Sequence, residues 1–375
     1  MIFSSEIHTS SDARRLARLI LPWMVFDYID GAAGAEVGEQ FNRTAMSEIK
    51  LMPRVLNNVE HRSLAVKVFG VEQSLPFGVS PMGMCNLSIP GADLMLARMA
   101  ADRKVPLGVS TAASTSLEDI ARVADGRAWF QLYFSGDEAA SVSLINRAAA
   151  AGYETLVLTV DVPEVGRRPR ELRRGFKMPF KIGVREFTDL ALHPLWSIPT
   201  LVKGRPELAN FGGDFGEFNR HASRAGADWD LLARLRDLWK GNLVIKGVLD
   251  PRDAVRMKDM GVDAVQVSSH GGRQLDAAPA PILALRKIRD AVGEDFPLFY
   301  DSGVRSGEDV LKAYAMGANF VLLGRPLLFA MAAGGERGLA RLVDLFATET
   351  SIGLAQLGLT DMSGVNAGVI DSYPA

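Results

Sequence analysis

Eight short apolar runs recur along this chain of 375 residues, and their spacing constrains the fold more than any other feature. Each run is rich in β-branched residues, as parallel strands buried on both faces are. The runs are PFGVSP (76–81), PLGVST (106–111), WFQLY (129–133), TLVLTVD (155–161), NLVIKG (242–247), DAVQVSS (263–269), PLFYDSG (297–303) and NFVLLGR (319–325). Six of the seven intervals between their starts span about 21 to 34 residues, enough for a crossover helix between parallel strands. The pattern predicts an α/β fold, a TIM (β/α)8 barrel.

Residues 1–75 precede the barrel and carry signals of their own. The stretch 10–31 predicts helix with a break at Pro22 and an end at Gly31, because proline lacks an N–H and glycine favours helix ends. Further along, two short apolar runs within 64–77 predict a hairpin. We expect this hairpin to plug the lower end of the barrel.

One interval between strands is much longer than the others. From Asp161 to Asn242 the chain runs for roughly 80 residues, far more than a crossover helix needs. We therefore predict an insertion at 176–240, after the fourth strand. The rest of the chain fits a single barrel domain that covers 1–375.

Composition excludes several classes of protein. The net charge of −2 gives no electrostatic reason to expect nucleic acid as a partner. Cys85 is the only cysteine, which excludes an internal disulfide and a multi-cysteine metal site and predicts a reducing cytoplasm. The apolar run 19–26 is interrupted by Pro22 and follows acidic residues, so we expect neither a signal peptide nor a membrane-spanning segment.

Nearly every predicted strand turns polar at its carboxyl end. In a barrel of this class the chemistry lies at that end of the strands. The polar residues there are Ser80, Ser110, Gln131, Tyr133, Thr159, Asp161, Lys246, Ser268, Ser269, His270, Asp301 and Arg325. Because a purely structural barrel does not need so many polar groups on one rim, we predict an active site there.

Glycine and arginine recur after the seventh and eighth strands, as Gly303 with Arg305 and Gly324 with Arg325. Barrels often bind phosphate at this place, through exposed backbone N–H groups and a helix N-terminus. The alternative is turn glycines beside solvated arginines. The chain has neither a GxxxxGK[ST] loop nor a GxGxxG fingerprint, which argues against an ATPase or a Rossmann NAD enzyme.

The stretch VQVSSHGGRQLD (265–276) combines a strand end with residues suited to chemistry. His270 is suited to proton transfer near neutral pH, and Arg273 offers a fork that grips a carboxylate. Asp161 is placed to hold the imidazole ring, whereas Lys246 is costly to bury without an anionic partner. The remaining histidines are interpreted as structural: His8, His61, His193 and His221.

The sequence SSHGGRQLD (268–276) closely resembles the signature of the FMN-dependent L-2-hydroxy acid dehydrogenases and oxidases. That family includes glycolate oxidase, lactate dehydrogenase and mandelate dehydrogenase. The resemblance extends over nearly the whole chain, through PWMVFDYIDGAA, WFQLY, LTVDVPEVGRR, LVIKG, DSGVRSGEDV and LLGRP. Within the family, the segments STAAS, LHPLWS and ELANF resemble mandelate dehydrogenase in particular.

The resemblance implies a set of roles at the substrate. His270 is the base that takes a proton from the substrate, and Asp161 pairs with it. Arg168 and Arg273 clamp the substrate carboxylate. Two tyrosines line the substrate and hydrogen-bond it, namely Tyr28 and Tyr133.

The resemblance also implies FMN as the cofactor, with Lys246 at the N1–O2 edge of the flavin. The isoalloxazine ring or ribityl chain contacts Ser110, Gln131, Thr159 and Ser268. The backbone that borders the flavin N5 atom is Pro81, Met82 and Gly83. The ribityl phosphate end is held by Asp301, Gly303, Arg305, Gly324 and Arg325.

The chain departs from the family pattern at several positions. Ser269 replaces the asparagine that usually precedes the histidine, a change that we expect to be tolerated. Ala112 stands where glycolate oxidase has tryptophan, and Ile29 follows Tyr28 where a second aromatic residue is common. These smaller residues predict a roomier pocket, for a bulky or aromatic 2-hydroxy acid.

The predicted reaction is oxidation of an L-2-hydroxy acid to the 2-oxo acid, with oxygen or quinone as the electron acceptor. The predicted assembly is a homotetramer. A hydride route and a carbanion route both remain open. The alternatives are a non-redox aldolase or isomerase that binds a phosphorylated sugar, and a flavoprotein that modifies a peptide. The set of His270, Arg168 and Arg273 argues against both, because neither needs a double carboxylate clamp.

The predicted insertion mixes large apolar side chains with Lys203 and Arg205 in FTDLALHPLWSIPTLVKGRPELANF. Such a segment is suited to a membrane interface, and membrane-associated relatives carry a similar one. The expected location is therefore cytoplasmic, with peripheral contact to the inner face of the cell membrane through 176–240. A lid over the substrate or an oligomer contact is the alternative.

Overall fold

The computed structural model describes residues 4–134, 136–175, 183–204, 206–211 and 224–374. Its strands, in chain order, are β1 (Lys50–Leu51), β2 (Val66–Val68), β3 (Val71–Gln73), β4 (Phe77–Met82), β5 (Leu107–Ser110), β6 (Ala128–Tyr133), β7 (Thr155–Thr159), β8 (Asn242–Val248), β9 (Ala264–Val267), β10 (Leu298–Tyr300), β11 (Phe320–Leu323) and β12 (Ile370–Ser372). Strands β4 to β11 close into a barrel in which every neighbouring pair is parallel. The predicted TIM barrel is thus confirmed, and each of the eight apolar runs contains or overlaps one of its strands.

Helices surround the barrel. In chain order they are α1 (Ser10–Ile20), α2 (Trp23–Asp30), α3 (Val37–Glu48), α4 (Ala92–Asp102), α5 (Leu117–Ala124), α6 (Glu138–Ala150), α7 (Pro169–Arg173), α8 (Val184–Leu192), α9 (Pro194–Lys203), α10 (Trp229–Leu238), α11 (Pro251–Asp259), α12 (Pro281–Val292), α13 (Gly307–Ala315) and α14 (Arg325–Gln356). Many begin at a side chain that caps the first turn, as Ser116 does for α5 and Asp250 does for α11. The N-terminal helices break at Pro22 and end at Gly31, as predicted.

The strand register places the site residues side by side. Tyr133 of β6 pairs with Thr159 of β7, which in turn pairs with Lys246 of β8. Lys246 then pairs with Gln266 of β9. Because the strands are parallel, these polar residues all lie at the carboxyl end of the barrel.

The opposite end of the barrel is filled by apolar side chains. The hairpin of β2 and β3 carries Phe69 at its turn, and the ring of Phe69 lies 5.9 Å from that of Trp129 and 5.5 Å from that of Phe299. The hairpin is shorter than its predicted extent of 64–77, because β3 ends at Gln73 and Phe77 begins the barrel. Pro76 lies between them and cannot donate to a strand ladder.

The long interval between β7 and β8 contains α7 to α10. Helix α10 buries Leu231, Leu232 and Leu235 in the main core, so it is packed like the crossover helix of an ordinary βα unit. Helix α8 packs on α2, where the Asp189 carboxylate accepts hydrogen bonds from the backbone N–H groups of Trp23 and Met24. Two residues named from the sequence, Arg205 and His221, lie outside the described residues.

Candidate active site

The turn after β9 presents His270 through left-handed backbone. His270, Gly271 and Gly272 have φ values of 56°, 66° and 76°, a region that glycine adopts readily and other residues rarely do. At Gly272 a Cβ atom would lie 2.6 Å from the backbone nitrogen of Glu39, so α3 packs directly on the turn. The two glycines therefore allow His270 to point into the barrel mouth while α3 covers the turn from outside.

His270 lies between an acid and a phenol. Its Nδ1 atom is 3.0 Å from Oδ1 of Asp161, and its Nε2 atom is 3.3 Å from the hydroxyl of Tyr133. Burial lowers the pKa of His270, with Lys246 and Arg168 acting in the same direction against Asp161. A neutral ring with its proton on Nδ1, held by Asp161, leaves Nε2 as a proton acceptor.

Arg168 and Arg273 meet at one buried carboxylate, that of Glu171. The Oε1 atom of Glu171 lies 3.3 Å from Arg168 and 3.1 Å from Arg273. Arg273 also donates to the carbonyl oxygens of Tyr28 and Gly31, and its guanidinium lies 5.4 Å from the Tyr28 ring centre. The two predicted clamp arginines are thus brought together beside Tyr28.

Lys246 is buried and held by acids. Its Nζ atom donates to Ser268 at 2.9 Å and lies 3.4 Å from Oδ2 of Asp301. Burial alone lowers the pKa of Lys246, but the charges of Asp301 and Asp161 hold it above its ordinary value. Asp301 also accepts hydrogen bonds from Ser80 at 2.8 Å and from Ser268 at 2.5 Å.

The loops after β4 and β5 form the next part of the rim. The backbone nitrogen of Met84 donates to the carbonyl of Ala112, and Ser110 accepts from the Ala112 backbone. A Cβ atom on Gly83 would lie 3.2 Å from that of Ala112, so the loops fit closely because both residues are small. Pro81 and Met82 precede this contact at the end of β4.

Gln131 offers a buried acceptor to a ligand. Its Nε2 atom donates to Thr159 at 2.9 Å. Its Oε1 atom is buried and has no hydrogen-bond partner among the described residues. Since a buried oxygen without a donor costs free energy, this atom fits a ligand that carries an N–H or O–H group, as the edge of a flavin ring does.

The predicted phosphate end combines backbone and positive charge. Gly303 has a φ of 89°, and Gly324 precedes the N-terminus of α14, where Arg325 lies. Burial and the neighbouring Arg305 lower the pKa of Arg325 to about 10. Two partly buried guanidinium groups, one of them at a helix N-terminus, favour an anion between them, which fits a phosphate.

Several residues that support these side chains were not identified from the sequence. They are Glu39, Asn42, Glu171, Gln266, Gln274 and Ser302. Gln274 donates to the carbonyls of Asp161 and Glu164, and Ser302 accepts from the backbone of Gly271. Gln274 stands within the SSHGGRQLD signature and Glu171 three residues after Arg168, so their positions were a usable signal. Asn42, which donates to Ser269, comes from a distant helix and gave no signal.

The family model for FMN-dependent dehydrogenase matches residues 17–372. The chain belongs to this family. It is 38% identical to (S)-mandelate dehydrogenase of Pseudomonas putida, with 99% of this chain and 97% of the relative aligned. It is also 38% identical to an L-lactate dehydrogenase of Caulobacter vibrioides, with 97% of each chain aligned.

Solved structures agree with this membership. A structure described as the monotopic membrane protein (S)-mandelate dehydrogenase superimposes with a TM-score of 0.93 at 38% identity, over 97% of this chain and 99% of that one. Mandelate oxidase with benzoyl-formic acid superimposes with a TM-score of 0.84 at 36% identity, over 96% and 97%. The protein is therefore an FMN-dependent oxidoreductase, and the aldolase or isomerase alternative is set aside.

Proposed function

We propose that the protein oxidises an L-2-hydroxy acid with a bulky or aromatic side chain to the corresponding 2-oxo acid. The observation that carries the proposal is the arrangement of His270 between Asp161 and Tyr133, beside the paired guanidinium groups of Arg168 and Arg273. This arrangement offers one proton acceptor and one carboxylate site within the same barrel mouth. Bound FMN supplies the acceptor for the two electrons that leave the substrate.

The proton chemistry falls to His270. Its Nε2 atom accepts the proton of the substrate, and Asp161 stabilises the imidazolium that forms. Tyr133 is protonated at neutral pH, because burial raises the pKa of its hydroxyl to about 12. It is therefore a hydrogen-bond donor, to Nε2 or to the substrate.

The carboxylate clamp orients the substrate. A guanidinium group offers a planar fork that matches a carboxylate, and two such groups fix both its position and its plane. This orientation places the substrate hydroxyl beside His270, so that binding energy supplies part of the rate. Lys246 keeps a positive charge in the barrel mouth, where it would favour the gain of negative charge by bound FMN.

One comparison supports a large substrate, because mandelate oxidase with benzoyl-formic acid is among the similar structures. The contact between Ala112 and Gly83 adds no support, since a Cβ atom on Gly83 would lie only 3.2 Å from that of Ala112. Ile29 does not contribute to this argument either. Its side chain is buried in the apolar core, where it gives no room to the site.

Anaerobic bleaching of the flavin colour tests the proposed function. We expect L-mandelate to bleach the bound flavin faster than L-lactate or glycolate, with the D-enantiomers inactive. Reoxidation of the bleached enzyme by air or by a soluble quinone then identifies the acceptor. A protein that binds FMN but is bleached by none of these acids would contradict the proposal.

We further propose that the protein binds a membrane surface peripherally through α8 and α9 and passes electrons to quinone. No helix among the described residues is both long and apolar enough to cross a bilayer. Instead, α8 and α9 turn Trp196 inward, where its indole donates to the carbonyl of Leu87. Their outward face is apolar and exposed: Val184, Phe187, Leu192, Leu195, Ile198, Leu201 and Val202. Such a helix pair is suited to the interface of a bilayer.

Sedimentation with liposomes tests the membrane contact. The double variant Leu201→Glu with Val202→Glu places two charges on the apolar face and should leave the protein in the supernatant. Val55→Glu places a charge on an exposed residue that lies outside α8 and α9. This control variant should still sediment. Wild-type protein that stays in solution with full activity would rule out the contact.

The expected homotetramer stays a prediction, which sedimentation velocity tests.

A further inference from the structure

Glu39 lies beside both arginines of the proposed phosphate end. Its Oε1 atom is 3.2 Å from Arg305 and 3.9 Å from Arg325. Its side chain is only 17% exposed, so water screens the pair weakly. A partly buried carboxylate beside these two guanidinium groups is unexpected, because they are the groups proposed to receive a phosphate.

The backbone of Glu39 is fixed in place. Gly272 packs against its backbone nitrogen, and the N–H of Gly38 donates to Asp276 at 2.9 Å. Helix α3 therefore cannot move the carboxylate away, but the side chain can rotate. Arg43, one turn further along α3 and exposed, already lies 3.2 Å from the Oε2 atom and offers a second partner.

A phosphate monoester carries between one and two negative charges at neutral pH. Such a group next to the carboxylate of Glu39 meets repulsion, and it also needs the Arg305 N–H group that donates to Glu39 at 3.2 Å. We infer that Glu39 competes with the FMN phosphate for Arg305 and Arg325, and thereby weakens cofactor binding while it stabilises the flavin-free protein. The inference rests on the proposed function, which assigns the phosphate to these arginines.

The charges of the two arginines support the second half of the inference. Burial lowers the pKa of Arg305 and of Arg325, and the positive charge of Arg305 lowers the pKa of Arg325 further. Glu39 raises both, which means that it offsets the cost of burying two like charges. Its removal should therefore have opposite effects on flavin affinity and on the stability of the flavin-free fold.

Flavin titration of the deflavinated protein tests this. Glu39→Gln removes the charge and keeps the shape, and we expect FMN to bind about tenfold more tightly. Riboflavin, which has no phosphate, should bind Glu39→Gln and wild type equally. The flavin-free variant should melt a few degrees lower than wild-type flavin-free protein. Glu48→Gln makes the same charge change on α3, about 13 Å further along its axis, and should alter neither affinity.

Other outcomes overturn the inference. These are an unchanged affinity of Glu39→Gln for FMN, and an equal gain for FMN and riboflavin. An equal gain from Glu39→Gln in an Arg305→Gln background would also overturn it, because the competition needs the arginine. If Glu39→Gln does not fold, Glu39→Asp should bind FMN more tightly than wild type, since its shorter arm withdraws the charge; equal or weaker binding counts against competition. Wild-type protein that binds neither flavin would instead refute the proposed function.

Discussion

The two ends of the barrel interior are lined by opposite kinds of side chain, apolar at the amino end and charged at the carboxyl end. At the amino end, the rings of Trp129 and Phe299 stack on each other, and Phe69 of the hairpin of β2 and β3 packs against both. At the carboxyl end, Lys246 and Asp301 are almost as deeply buried, yet they are charged and joined by hydrogen bonds and ion pairs. The same eight strands carry both ends, so the side chains alone make the difference.

This comparison separates stability from chemistry. Apolar burial stabilises the amino end in proportion to the area removed from water. Buried charges at the carboxyl end contribute little net stability, because desolvation offsets their attraction. We therefore expect substitutions at the amino end to change the free energy of unfolding, and substitutions at the carboxyl end to change the reaction.

The largest effect is expected for His270→Gln. Loss of the proton acceptor should slow reduction of the bound flavin by a 2-hydroxy acid about 10²–10⁴-fold, while FMN remains bound. Stopped-flow absorbance under anaerobic conditions measures this rate. His61→Gln, on an exposed residue, is the control; bleaching of His270→Gln at the wild-type rate would exclude proton transfer by His270. In wild type the acid limb of the rate should lie below the ordinary histidine range, because burial lowers the pKa of His270.

At the other end, Phe299→Ala should reduce the free energy of unfolding by about 3–5 kcal/mol, because it leaves a cavity among stacked rings. Below its melting temperature, the variant should bleach at close to the wild-type rate. Urea denaturation measures the loss, with the half-exposed Ile352→Ala as control. A variant as stable as wild type, but slow to bleach, would reverse the assignment of the two ends.

Asp93, on α4 behind the carboxyl rim, tests whether a buried acid near this end makes the free energy of unfolding depend on pH. Burial raises the pKa of its carboxyl from 3.8 to about 6, against hydrogen bonds from Cys85 and Ser114. Between pH 3.8 and about 6 the carboxyl of Asp93 holds a proton in the folded protein more often than in the unfolded chain. The contribution of Asp93 to the free energy of unfolding therefore decreases as the pH rises, by at most about 3 kcal/mol.

The Asp93→Asn variant removes this titration. Its free energy of unfolding should therefore fall less than that of wild type as the pH is raised from about 4 to about 6. Denaturant titrations across this range measure the two slopes. Asp371→Asn, an exposed carboxyl, serves as the control, and identical slopes for Asp93→Asn and wild type would show that burial of Asp93 carries no such cost.

The smallest effect is expected for Arg273→Lys, in which a point charge replaces a planar fork. Half-saturation should require about tenfold more substrate, because one of two charge-assisted contacts is weakened. FMN affinity should stay close to wild type, whereas the free energy of unfolding should fall, because Arg273 also donates to the carbonyls of Tyr28 and Gly31 and to buried Glu171. Arg122→Lys, exposed on α5, is the matched control; an unchanged half-saturation for Arg273→Lys would argue against the clamp.

Much of the site was predictable because it follows strands. Tyr133, Thr159 and Lys246 lie at or near the carboxyl ends of consecutive strands, and parallel pairing brings such ends to one rim. Asp301 was also expected at the rim, and its role at the phosphate end stays a prediction. The structure adds its contacts with Lys246 and Ser80, which depend on where the side chain turns after β10 and which strand periodicity does not specify.

The barrel, its polar rim and the signature turn could be predicted from the sequence, because short apolar runs at crossover spacing and glycines in a tight turn are local patterns. Packing between distant segments is what joins Arg168 to Arg273 through Glu171 and brings Glu39 beside Arg305 and Arg325. Glu39 and Arg305 are 266 positions apart. The approach of α3 to the rim is a packing event between distant segments, so no local pattern of residues records it.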